Sequence, residues 1–313
     1  MRWDEFRRSQ NIDDRRGEGG AGAWRGTGAL PFRGGRLSIG SIIFLLIICW
    51  LLGINPLELI GGSDISTDSG QTDQARYSGS PGEANSRAGT GGSQDQTEQF
   101  VAAVLGETED RWTEIFQGHG QTYKAPTLVL FSGVTRSACG TAQSAMGPFY
   151  CPNDQRIYLD TNFFRDIETK LRGCQVGSKT CQFSQAYVIA HEVGHHVQNL
   201  LGILARARQQ QRNASDSEAN RIQVKVELQA DCLAGVWANH SEEKWKFIEP
   251  GDIEAALQTA SAIGDDMLQK RAQGFAVPDS FTHGTSAQRT RWFTTGLKNG
   301  TIESCDTFAA AQL

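Results

Sequence analysis

The chain is 313 residues long, 39% hydrophobic and 21% charged, with a formal net charge of −5. That length could hold two domains, but the composition argues for one folded domain with appendages. The acidic balance, with basic residues gathered at one end, gives no sign of a nucleic-acid surface.

Residues 1–36 are rich in Arg and Gly and poor in apolar residues, and read as a cytoplasmic tail. The run LSIGSIIFLLIICWLLGI, residues 37–54, carries no charge. At 1.5 Å per residue about 18 helical residues reach roughly 27 Å, enough for a bilayer core. The run is therefore expected to be a single transmembrane anchor. A cleaved signal peptide fits less well, because the preceding segment is long and no A-x-A-like site follows. A lipoprotein site at Cys49 lacks a small residue before it, where Ile48 stands. A buried core helix would not be apolar all round between low-complexity flanks. Arg2, Arg7, Arg8, Arg15, Arg16, Arg25, Arg33 and Arg36 precede the run, and basic residues are sparse just after it. The positive-inside rule then keeps the N-terminus in the cytoplasm of a single-pass cell-membrane protein and places the rest in the periplasm or outside. Residues 55–95 read as a disordered linker, leaving 96–313 as the folded domain.

Within that domain TEQFVAAVLGETEDRWTEIFQ (97–117) reads as a helix and APTLVLFSG (125–133) as a buried strand. Residues 137–153 read as a loop, RIYLD (156–160) as a second strand, and 160–171 as a helix. A helix over 184–200, a loop over 205–218 and a long helix to about His240 follow. One amphipathic helix is expected over GDIEAALQTASAIGDDMLQ (251–269), capped by Asp252. A last one spans TSAQRTRWFTTGLKNG (285–300), with Gly300 as C-cap. Strands gather before residue 160 and helices after it, which argues for a mainly helical α+β domain with a small sheet. Cys139, Cys151, Cys174, Cys181, Cys232 and Cys305 fall in this domain. An even number suits disulfides in an oxidising compartment. Proximity favours Cys139–Cys151 and Cys174–Cys181, leaving Cys232–Cys305. A second zinc held by cysteines is disfavoured, because no CxxC pair is present.

The segment SQAYVIAHEVGHHVQNL carries an HExxH motif, His191-Glu192-Val193-Gly194-His195. Residues four apart on a helix share a face, so His191 and His195 can offer two imidazoles to one Zn²⁺. Glu192 is displaced along the helix, where its carboxylate can reach a water at the metal without ligating the ion. Downstream, Glu227 and Asp231 are again one turn apart in VELQAD. Glu227 is the expected third ligand, and Asp231 the acceptor for the free ring nitrogen of His191. Gly194, Ala230 and Ala234 would let the two helices approach closely.

HEVGHHVQ, ELQADCLAG and HGTSAQR together resemble the putative neutral zinc metallopeptidase family of bacteria. GPFYCPNDQRIYLD and MRWDEFRRSQNIDDRRG are similar to it as well, so the resemblance covers nearly the whole chain outside the linker. It implies a gluzincin-like, zincin-fold peptidase, with His191, His195 and Glu227 as zinc ligands and Glu192 as general base and acid. In that class an edge strand beside the zinc helix pairs with an extended substrate, and residues 156–160 are the candidate.

Amide hydrolysis develops a negative oxygen, and His283 or Tyr158 is the candidate donor to it. Arg289 is expected to pair with a carboxylate rather than to orient His283. His196 points away from the ligand pair and reads as structural, His240 as a partner of helix-terminal carbonyls, and Asp265 and Asp266 as a solvated turn. His119 carries no argued role. The sequence therefore points to a membrane-anchored zinc endopeptidase acting on peptides or proteins. The competing readings are a non-catalytic, zinc-stabilised envelope binding module and a zinc hydrolase of a non-peptide cell-wall bond.

Overall fold

A computed structural model describes residues 1–17, 91–143, 147–172, 174–175 and 178–313. The chain order is β1 (Ile12–Asp14), α1 (Gly91–Gly118), β2 (Thr127–Phe131), β3 (Val134–Ser137), β4 (Gly140–Gln143), β5 (Phe149–Cys151) and β6 (Arg156–Asp160). Seven helices follow: α2 (Asn162–Thr169), α3 (Cys181–Leu200), α4 (Ile203–Gln211), α5 (Asp216–Trp245), α6 (Asp252–Ala262), α7 (Asp265–Gln273) and α8 (Ser286–Asn299). The architecture is the mixed, mainly helical α+β arrangement expected from the sequence.

The main sheet runs β1-β2-β6-β5. Its first three strands are parallel and β5 is antiparallel to β6. Strand side chains alternate between faces. Leu128, Leu130, Ile157 and Leu159 enter the main core, whereas Val129, Phe131 and Tyr158 form a second cluster with Ala142 and Cys151. Burial on both faces explains why β2 reads as an unbroken apolar run. β6 is paired on both sides, so its backbone has no free edge to offer. That corrects the expectation that 156–160 would receive a substrate strand; the edge on this side is β5.

The helical layer is built around α3 and α5. At Gly194 an added Cβ would come within 2.9 Å of the Ala230 carbonyl oxygen, so glycine sets how closely α3 meets α5. Gly235 of α5 and Gly296 of α8 do the same for the next pair, where a Cβ on either would overlap the other helix's backbone. Trp237, Phe183, Phe247 and Phe293 are fully buried between these helices. Ser215 caps α5 by accepting from Glu218 N–H, and Asp216 and Glu218 sit in its first turn, beside the positive end of the helix dipole. Thr285 and Gln288 form a capping box on α8, and Gly300 ends it in the left-handed conformation at φ 66°. The disulfides are Cys139–Cys151, Cys174–Cys181 and Cys232–Cys305, the pairing that proximity favoured.

Several expectations are corrected. Residues 1–17 do not stand apart as a tail: they belong to the same compact unit as the rest of the described chain, and β1 extends the main sheet. Residues 91–95, expected to belong to the linker, lie in α1, which begins at Gly91. The segment 205–218 is not all loop, because α4 occupies much of it. The helix expected over 251–269 is two helices, with Gly251 rather than Asp252 at the first N-cap. The break falls at Gly264, whose extended backbone lies against Ser286; a Cβ there would be 2.5 Å from the Ser286 nitrogen. Among the described residues no helix is long and apolar enough to cross a membrane. The run 37–54, expected to be the anchor, lies outside them, as do Cys49 and the linker up to residue 90.

Candidate metal centre

α3 and α5 bring His191, His195 and Glu227 together. The metal-binding atoms of the three residues lie within 4.8 Å of one another. Glu227 Oε2 is 3.3 Å from His191 Nε2 and 3.4 Å from His195 Nε2. Around a tetrahedral Zn²⁺ with bonds of about 2.0–2.2 Å, ligand atoms stand roughly 3.3–3.5 Å apart, so the two separations from Glu227 fit. The outer ring nitrogens are held from behind. His191 Nδ1 faces Asp231 Oδ1 at 2.9 Å, and His195 Nδ1 faces Gln198 Oε1 at 2.9 Å. Both partners are acceptors there, which puts the ring protons on Nδ1 and leaves the Nε2 lone pairs turned inward.

Two inward lone pairs and a carboxylate oxygen demand a positive charge between them. The same demand appears in the titration of the site. Burial pulls His191 down, but the Asp231 carboxylate and Glu227 outweigh it and push the imidazole up to about 10. Burial raises Glu227, but His195 and His191 outweigh it and hold the carboxyl well below its usual range. A cation of either kind, proton or metal, is what these donors favour, and metal binding releases protons.

Asp231 is fully buried and joins three helices. It accepts from Tyr187 Oη at 2.5 Å on α3 and from Arg289 on α8 through Nε and Nη2, both at 2.9 Å. Burial would raise the Asp231 carboxyl, and the Arg289 guanidinium and His191 hold it below its usual range. Arg289, 2% exposed, therefore pairs with a carboxylate as expected, and that carboxylate is the one bracing His191. Two glutamines complete the shell, and sequence reasoning missed both. Gln223 donates to Glu227 Oε1 at 2.8 Å. Gln198, besides holding His195, donates to the Val226 carbonyl at 2.8 Å and to Gln229 at 3.0 Å; Gln229 in turn donates to the Cys305 carbonyl at 2.9 Å. The Cys232–Cys305 disulfide thus anchors the far end of an amide chain that reaches His195. Helical spacing was the one available signal: Gln223 lies four residues before Glu227, and Gln198 three after His195.

The centre opens on a cleft of about 460 Å³ whose walls include His191, Glu192, His195, Glu227, His283 and Arg289. Glu192 is 6% exposed, and its carboxylate accepts no hydrogen bond from any described residue. Burial pushes its carboxyl above the usual range, against the pull of His191 and His195. His283 is about half exposed, with Nδ1 3.3 Å from Asp265 Oδ1. Asp265 Oδ2 accepts from the backbone N–H groups of Thr282, His283 and Gly284, and Asp266 accepts from Ser286. These two acids organise a loop at the cleft, which corrects their reading as a solvated turn. Tyr158 is not at the cleft: it is 1% exposed and donates to Asp154 at 2.9 Å, so it is withdrawn as an oxyanion donor. His196 is structural as expected, wedged between Tyr150 Oη and the Lys124 carbonyl, and burial lowers it to about 4. His240 faces the Gly300 carbonyl at 2.8 Å, the end of α8 rather than of its own helix. His119 faces the Ile115 carbonyl and Glu303.

Comparison with known proteins agrees with this geometry. A family model described as putative neutral zinc metallopeptidase matches residues 1–308. The uncharacterized protein YpfJ of Escherichia coli strain K12 is 43% identical over 309 residues, covering 98% of this chain and 99% of that protein. The uncharacterized protein Rv2575 of Mycobacterium tuberculosis strain H37Rv is 39% identical over 273 residues, covering 84% and 86%. No solved structure matches.

Proposed function

We propose that this chain, which belongs to the putative neutral zinc metallopeptidase family, is a zinc-dependent endopeptidase whose reaction takes place in the cleft beside His191, His195 and Glu227. The observation that carries the reading is Glu192, a buried carboxylate on the cleft wall with no described hydrogen-bond partner, adjacent to a three-ligand set. A purely structural zinc site has no use for such a group, which disfavours the binding-module reading. Zinc held by the three ligands supplies a Lewis acid that polarises a carbonyl and lowers the pKa of water toward neutrality. Glu192 takes a proton from the attacking water and delivers it to the leaving nitrogen as the C–N bond breaks. Its raised pKa suits a group that must hold a proton between those two transfers.

His283 serves as the donor to the developing oxyanion, oriented from behind by Asp265. His283→Ala is expected to lower kcat by about 10²-fold with KM little changed; an unaltered kcat would remove this role. Phe149, Phe163, Leu204 and Leu268 line the cleft and offer apolar contacts to side chains flanking the cut bond. An extended peptide would join the outer edge of β5, where pairing depends on the backbone more than on side chains. The three disulfides suit an oxidising compartment, which favours a domain outside the cytoplasm.

The test is to incubate the zinc-loaded, full-length protein with a diverse peptide library, with and without a chelator. Truncation to 96–313 would remove β1 and is avoided. Cleavage that the chelator abolishes and added zinc restores is the expected result. Intact peptides throughout would sink the endopeptidase reading and leave hydrolysis of a cell-wall bond as its rival.

A further inference from the structure

Residues 1–17 occupy a built groove on the metal-site domain. Ile12, Asp13 and Asp14 lie in parallel register with Leu128, Val129 and Leu130. The Leu128 N–H donates to the Asn11 carbonyl, and the Arg15 N–H to the Leu130 carbonyl, both at 2.8 Å. Ahead of the strand, the Ser9 N–H donates to the Ala102 carbonyl of α1 at 2.8 Å. Phe6 is 3% exposed, with its ring against those of Trp245 and Phe247, and Trp3 meets Phe100 edge-on at 5.4 Å. The buried Glu109 carboxylate accepts from Ser9 Oγ at 2.6 Å, Asn11 Nδ2 at 2.7 Å and Arg7 at 2.7 Å. Gly106 leaves the space that the Arg7 carbonyl fills, where any Cβ would overlap it.

Three of the arginines that weigh in a positive-inside argument, Arg7, Arg15 and Arg16, are used within this fold. Arg7 also pairs with Asp110, Arg15 with Asp13, and Arg16 with Asp14 and Glu98. From this docking we infer that residues 1–17 and the metal-site domain lie on the same side of any membrane the chain meets. A lone span over 37–54 would put them on opposite faces. A bilayer core of about 30 Å cannot be bridged by strands that pair at about 4.8 Å. The conclusion holds even where a second copy supplies the segment, since donor and acceptor strands must still meet on one face. It rests on strand pairing and side-chain burial, and stands or falls independently of the hydrolytic reaction.

Site-directed labelling tests it. The full-length chain carrying Cys49→Ser is made in bacteria with one reporter cysteine, Gln10→Cys or Lys298→Cys, both at exposed positions. Spheroplasts are treated with a membrane-impermeant maleimide before and after lysis. The expected result is that both positions behave alike, whether both label before lysis or both only after it. Labelling of one position in intact spheroplasts and of the other only after lysis would overturn the inference. Asp4→Cys and Glu243→Cys, also exposed, form an independent pair should either first reporter disturb folding.

Discussion

Glu192→Gln is expected to lower kcat by about 10²–10⁴-fold while leaving the zinc content intact. The amide keeps the size of the carboxylate but cannot accept a proton, so the variant removes a proton carrier without opening a void. Glu192 is not among the three converging ligands, and it holds no other described side chain in place, so the fold and the metal have little reason to change. Metal analysis and kinetics on the same preparation check both halves of the statement. A full-rate variant would show that another group carries the proton. The wild-type pH profile provides a second view. Burial shifts the Glu192 carboxyl upward from its ordinary value of 4.5, and the base works only when ionised. The acid limb of kcat/KM is therefore expected above that value, with activity falling as pH drops through it; in Glu192→Gln that limb has no Glu192 left to report.

The candidate ligands were legible because their geometry is local. His191 and His195, and likewise Glu227 and Asp231, are each one helical turn apart, and a turn is the same wherever it lies in a chain. The convergence of the two helices was legible in part, through the small residues Gly194 and Ala230 that now touch. The brace behind Asp231 was less so. An arginine in TSAQR can pair with any carboxylate, and Arg289 finds Asp231 only because α8 packs on α5 through Gly235 and Gly296. Gln198 and Gln223 belong to a residue type that carries no chemical signature of its own. Strand pairing was the least legible. Nothing local in IDD predicts a parallel partner beyond α1, and nothing in RIYLD shows that both its edges are taken. The split between α6 and α7 has a similar origin: the helical pattern continues through residue 264, and the close approach of Ser286 is what interrupts it.

Glu227→Ala is expected to abolish activity and to weaken zinc binding by more than the roughly 10–100-fold that loss of an outer partner such as Asp231 costs. Glu227 is the one anionic member of the ligand set, so its removal takes away both a coordinating atom and the charge that offsets the ion. Alanine is the best helix former and the site lies mid-helix in α5, so the helix should persist and the loss should register on the metal. Gln223 loses its acceptor, but it is only partly buried and can turn to water. Zinc stabilises whichever state binds it; the melting temperature of the variant should therefore respond little to added zinc, whereas that of the parent protein rises. Titration against a competing chelator, together with melting curves at several zinc concentrations, separates lost binding from lost folding. Parent-like affinity in Glu227→Ala would mean that α5 contributes no ligand, and the open, three-ligand centre on which Glu192 depends would no longer stand.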